Sequence, residues 1–123
     1  ELKKNTSNYP EYKGELYLEK HQGTYTTQGK VKKNNRQCEV LLHFAEWICT
    51  MAFIKGKEYP HKELDEIWKE VLLYQFHDIL PGSSIQRVYE ECNARYEILK
   101  KNINNIIDEA VLYLQNKDKI RYL

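Results

Sequence analysis

Tyr74-Gln75-Phe76-His77-Asp78-Ile79-Leu80-Pro81-Gly82-Ser83-Ser84 decides how this chain is arranged, because helical periodicity stops on one side of it and resumes on the other. A proline cannot continue a helix, and a glycine beside it lets the backbone reverse. Upstream, Leu64, Ile67, Trp68, Val71, Leu72 and Gln75 recur at threes and fours, the spacing of one helix face. Glu63, Asp65 and Glu66 fall in the first turn of that run, where the helix dipole favours acids. Downstream, Ile85, Val88, Tyr89, Cys92, Tyr96, Leu99, Ile103, Ile106, Ala110, Val111 and Leu114 form a second stripe reaching to about Asn116, with Ser83 or Ser84 as its cap.

Further upstream, Val31, Cys38, Leu41, Leu42, Ala45, Ile48, Cys49 and Ala52 predict another helix, capped by Thr26 or Thr27 and ending near Phe53. Gly56 and Pro60 then stop it. Three amphipathic helices on short connections must bury their stripes against one another, and sequential neighbours then run antiparallel. The expected fold is all-α, an antiparallel three-helix bundle in up-down-up order with an irregular N-terminal arm.

That arm behaves differently. Asn5-Thr6-Ser7-Asn8-Tyr9-Pro10 is loop chemistry, and Gly14, Gly23 and Gly29 punctuate a run rich in Tyr and Thr. Glu15-Leu16-Tyr17-Leu18-Glu19 has the makings of a short strand, and Thr24-Tyr25-Thr26-Thr27 of extended or irregular chain.

Composition narrows the functions. The 123 residues are the length of one domain, and 19 Lys and Arg against 18 Asp and Glu leave no charge excess to hold nucleic acid or an anionic lipid surface. Unbroken apolar runs such as Val71-Leu72-Leu73-Tyr74 fall far short of the roughly 20 residues of a membrane span, so no membrane partner is expected. Glu1-Leu2-Lys3-Lys4-Asn5 has neither an initiating Met nor an apolar signal core, which predicts a piece of a longer polypeptide. Cys38, Cys49 and Cys92 fit no CxxC pattern and fall on apolar faces, the placement of small core residues kept reduced in a cytoplasmic protein.

The chemistry concentrates in the quoted segment. An imidazole at His77 and a carboxylate at Asp78 stand at a helix terminus held by rigid elements on both sides, the way sites are usually built. The same two residues also suit a plain helix end, His near the C-terminus and Asp in a turn. A zinc site needs three or four ligands, and the local sequence offers two candidates. His21, His43 and His61 make no HxH or HExxH spacing; His21 lies in a polar, glycine-flanked stretch that could line a pocket or form a surface arm. There is no GxSxG and no phosphate-binding glycine loop, and pairs such as Glu90-Glu91 fit solvated helix faces.

Gln75 through Ile85 resembles the QFHDxLPGSSI segment of glycoside hydrolase family 38 α-mannosidases, and Gly14 through Gln28 is similar to their GELYLExHxGTYTxQ stretch, in the same order. The resemblance is clear from Glu15 to Tyr96. It implies residues 1–30 as an arm ending a catalytic barrel domain and 31–123 as the middle three-helix bundle. It further implies His77 as a ligand of a catalytic zinc and Asp78 as a contact to mannose hydroxyls, in a retaining enzyme acting on α-mannoside oligosaccharides through a covalent glycosyl intermediate. The family's HxD zinc ligands, nucleophile and acid/base are missing from these residues, so none of them is expected to be catalytic. The piece alone is expected neither to hydrolyse nor to hold zinc. No role is expected of Glu19, His21 or Tyr25 beyond belonging to the motif. The competing reading is a free-standing helical protein-protein interaction module, a well-behaved monomer docking a partner helix on an exposed apolar stripe; self-association is expected instead of the isolated enzyme piece, through its exposed barrel-facing surface.

Overall fold

The computed structural model describes residues 10–16 and 19–119. A 3-10 helix, Glu19–Tyr25, leads into three α-helices: α1 (Gly29–Ile54), α2 (His61–Tyr74) and α3 (Gln86–Lys119). Among the described residues no strand forms. The expected all-α bundle is therefore what the chain builds.

Side-chain contacts give the helix directions. Gln75 reaches Asn35 and Glu39 while Trp68 reaches Glu46, so α2 runs antiparallel to α1. Asn34 meets Asn93 and Tyr113 meets the Lys55 carbonyl, so α1 and α3 run parallel. This is the up-down-up order. It gathers the start of α1, the end of α2 and the start of α3 at one end of the bundle.

The core is continuous along the helices: Val31, Cys38, Leu42 and Ala45 from α1, Leu64, Ile67 and Val71 from α2, and Tyr89, Cys92, Tyr96, Leu99, Ile103 and Ile107 from α3. All three cysteines are buried and free, as the apolar-face reading expects. Burial pushes the Cys38 and Cys92 thiols up to about 11, which keeps them protonated at neutral pH.

Several expectations are corrected. Leu72 was placed in the inner stripe of α2 but is 55% exposed, and Ile85 precedes α3 and is exposed. Ile106 packs against the core as its spacing predicts, and Ile107 beside it is buried as well, both lying on the inner face between Ile103 and Ala110. Asn34 and Asn35 occupy the buried face of α1, which apolar periodicity alone could not reveal.

The arm differs most. Glu15 and Leu16 form no strand, Tyr17 and Leu18 lie outside the described residues, and Glu19 opens the 3-10 helix; the loop expected before Pro10 also lies outside them. The threonines that favoured extended chain instead bond back to the backbone: Thr24 Oγ1 donates to the His21 carbonyl at 2.7 Å and Thr27 Oγ1 to the Gly23 carbonyl at 2.5 Å. Such local bonds trade β-propensity for a helical turn. They also take Thr27 away from capping: α1 starts after Gln28, which is left-handed (φ 54°) and makes no side-chain cap.

The C-terminus of α1 ends as its sequence predicts. Gly56 takes φ 99°, and the Lys57 and Gly56 amides bond back to the Ala52 and Phe53 carbonyls at 3.0 and 2.9 Å. On the side of α1 away from the core, Val40, Phe44, Trp47, Met51 and Ile54 form a second apolar row, exposed to solvent. With apolar residues on both sides, α1 is long and apolar enough in composition to cross a membrane, although polar residues interrupt it throughout. Core helices of bundles share this length and composition, and the inner side of α1 packs against α2 and α3.

Candidate functional site at the corner between the second and third helices

The chain leaves α2 through a last helical turn. Gln75 and Phe76 amides bond to the Leu72 and Leu73 carbonyls, and the Phe76 carbonyl then accepts from Ile79 at 2.9 Å and Leu80 at 3.2 Å. That turn faces Ile79 and Leu80 inward against the core and leaves His77 and Asp78 outside. The His77 side chain is 77% exposed and that of Asp78 54%.

The two groups stand together. His77 Nε2 lies 3.6 Å from Asp78 Oδ2, an ion pair when the imidazole is protonated, and the Phe76 ring lies 4.1 Å from the imidazole centroid. Asp78 is fixed from two sides. Ser83 Oγ donates to its Oδ1 at 3.1 Å, and the Tyr89 hydroxyl donates to its backbone carbonyl at 3.2 Å. The same hydroxyl accepts the Ser84 amide at 2.7 Å. Tyr89 is 5% exposed and its ring belongs to the core, so the corner is tied to the packed interior of the bundle. Neither serine caps α3 with its side chain in the expected way: Ser83 is committed to Asp78, and α3 begins at Gln86 with the Val88 amide bonding to the Ile85 carbonyl.

A polar network supports the turn from beneath. Gln75 Nε2 donates to Asn35 Oδ1 and Glu39 Oε1, both at 3.1 Å, and Asn35 Nδ2 donates to the same Glu39 oxygen at 3.1 Å. Its buried side-chain polar atoms are all satisfied among the described residues, so the network fixes the α1–α2 register at this end without leaving a buried polar group unpaired.

The arm closes on the same corner. Gly82 takes φ 108°, and a Cβ built there would lie 2.4 Å from Thr27 Cγ2, so the arm's last turn and the corner are in close contact. Lys32, in the first turns of α1, bridges them through Nζ, donating to the Thr27 carbonyl and, at 2.8 Å, to the Leu80 carbonyl. The two segments singled out in sequence thus meet in space through Thr27, Gln28 and Gly82. His21, Glu19 and Tyr25 are exposed on the 3-10 helix.

The donor chemistry suits a shared metal site only in part. His77 and Asp78 supply one nitrogen and one carboxylate, and among the described residues no three His, Cys, Asp or Glu side chains gather to hold an ion. Lys32 and Tyr89 went unrecognised as site supports in the sequence. Lys32 bonds to backbone carbonyls, which no side-chain pattern announces, and Tyr89 reads as an ordinary member of the α3 stripe.

The fold is an all-α three-helix bundle that presents polar groups on one corner. Comparison with known proteins supplies the family. The α-mannosidase middle domain matches residues 19–114, and the chain belongs to that family. It is 42% identical over 114 residues to an α-mannosidase of Saccharomyces cerevisiae, covering 89% of this chain and 10% of the relative. Human α-mannosidase 2C1 is 42% identical over 103 residues, 82% of this chain and 10% of the relative. α-Mannosidase G of Dictyostelium discoideum is 39% identical over 116 residues, 93% and 10% respectively. The chain spans about a tenth of the length of these relatives.

Proposed function

We propose that this chain is the middle portion of a retaining, zinc-dependent α-mannosidase, in which His77 supplies one zinc ligand and Asp78 contacts mannose hydroxyls. The observation that carries the reading is the outward-facing pair itself: an exposed imidazole beside a carboxylate that Ser83 holds, on a backbone whose Asp78 carbonyl accepts from Tyr89, in a chain of the α-mannosidase middle-domain family.

His77 fits one position of a zinc site and Asp78 a second or a sugar-binding role, with the remaining ligands coming from outside the described residues. Bound zinc would act as a Lewis acid that orients sugar hydroxyls. The protein's part is to hold the imidazole nitrogen at a fixed place and direct the carboxylate toward hydroxyl donors. In this reading residues 1–30 complete the catalytic domain and 31–123 form the bundle. The nucleophile and acid/base lie elsewhere in the polypeptide, and the substrates are α-mannoside oligosaccharides. Three buried, free thiols accord with a reducing, cytoplasmic compartment.

The test is His77→Ala in the full-length protein, with bound zinc measured by atomic emission and activity on a chromogenic α-mannoside. Zinc and turnover should be lost together. Full zinc occupancy in the variant would reject the assignment.

A further inference from the structure

The reading of His77 and Asp78 leaves the arm motif without a task, and its contacts give it one. Lys32 Nζ donates to the carbonyls of Thr27 and, at 2.8 Å, Leu80, with the Pro81 carbonyl at 3.5 Å. Its acceptors are backbone carbonyls from two loops separated by more than fifty positions in sequence, and it is the half-buried cation between them. Partial desolvation holds its pKa below the usual lysine value. A lysine that trades water for loop carbonyls fastens those loops at a defined spacing, because each charge-assisted bond is lost if either loop moves away. Gly82 makes the approach possible: a side chain there would collide with Thr27.

We infer that Lys32 is a positioning residue, clasping the arm's last turn (residues 26–28) to the corner so that the arm sets the direction in which His77 and Asp78 face. The inference rests on the reading of those two residues as site groups. The clasp ties Leu80, two positions from Asp78, while the Tyr89 hydroxyl ties Asp78 itself, so the corner is held from both sides. Loss of one hold tilts the pair without unfolding the bundle. Site groups displaced by even a fraction of an ångström lose much of their effect.

The experiment compares Lys32→Met, Lys32→Gln and Lys32→Arg in the full-length protein by hydrogen exchange, melting and steady-state kinetics on a chromogenic α-mannoside. In Lys32→Met, amides of residues 23–28, 80 and 82–84 should exchange about tenfold faster or more while those of the mid-bundle stay unchanged. kcat should fall about tenfold or more with KM little altered, and Lys32→Arg should recover part of both. Lys32→Gln gives the same reading should the methionine variant fold poorly. Unchanged exchange in the two loops overturns the clasp. Faster exchange with unaltered kinetics overturns the positioning role. The exchange arm is independent of metal and substrate, so it still judges the clasp if His77→Ala keeps its zinc and the site reading fails.

Discussion

The middle of the bundle and its corner end are built by different physics. In the middle, Leu42, Val71, Tyr96, Leu99 and Ile103 are buried together, and stability comes from apolar area withdrawn from water. At the corner, a few hydrogen bonds from Lys32, Ser83 and Tyr89 hold backbone carbonyls and one carboxylate beside largely exposed side chains. The first region resists change through many small contacts. The second depends on a handful of directional ones, so it can be disturbed with little cost to the fold. If His77 and Asp78 serve as proposed, the packed body supplies the fixed frame and the corner the outward-facing groups whose geometry that frame sets.

The contrast can be broken from the middle outward. Leu42→Ala removes a fully buried side chain where α1 meets the other helices and should cost about 2–5 kcal/mol in equilibrium unfolding. The corner's exchange relative to the rest should not change. Tyr89→Phe keeps the ring in the core and deletes the hydroxyl that serves Ser84 and Asp78. It should cost about 1 kcal/mol globally, yet speed exchange of the Ser84 amide selectively. A global loss as large as that of Leu42→Ala would erase the distinction between the two regions.

The same contrast explains what could be read from the residues alone. Three helices, their order and most of the core followed from threes-and-fours spacing, because burial imposes that period on Cys38, Leu42 and Ala45 or on Tyr96, Leu99 and Ile103. Helix ends were legible where a backbone conformation demanded one residue, as at Gly56 with φ 99°. They were misjudged where a side chain had two possible partners: Thr27 turned back to Gly23 and Ser83 to Asp78 instead of capping. His77 and Asp78 were visible as residue types at a helix break. The supports from Lys32 and Tyr89 were not, since they act on main-chain groups brought together only by the folded topology.

A smaller effect sharpens the comparison on the seam between α2 and α3, where polar and apolar stabilisation meet. Glu70 accepts a two-pronged pair of bonds from Arg95 at 2.6 and 2.7 Å, plus the Tyr74 hydroxyl at 3.0 Å. The Arg95 hydrogen bond is the main cause that holds the Glu70 carboxyl below its ordinary range, against an opposing push from partial burial. Because the folded pKa is depressed, the pair's stabilisation is complete above the unfolded carboxylate range and is lost as pH falls through the folded value. Arg95 is nearly half exposed, so solvent screening limits the pair to about 0.5–1 kcal/mol. Glu70→Gln should therefore be less stable than the parent by that amount near neutral pH. The two unfolding curves should converge as pH falls through the depressed folded value of Glu70, where the glutamate is protonated and resembles the amide. A constant offset across the whole range would mean that the side chain contributes by packing, and the seam would then belong with the apolar middle of the bundle.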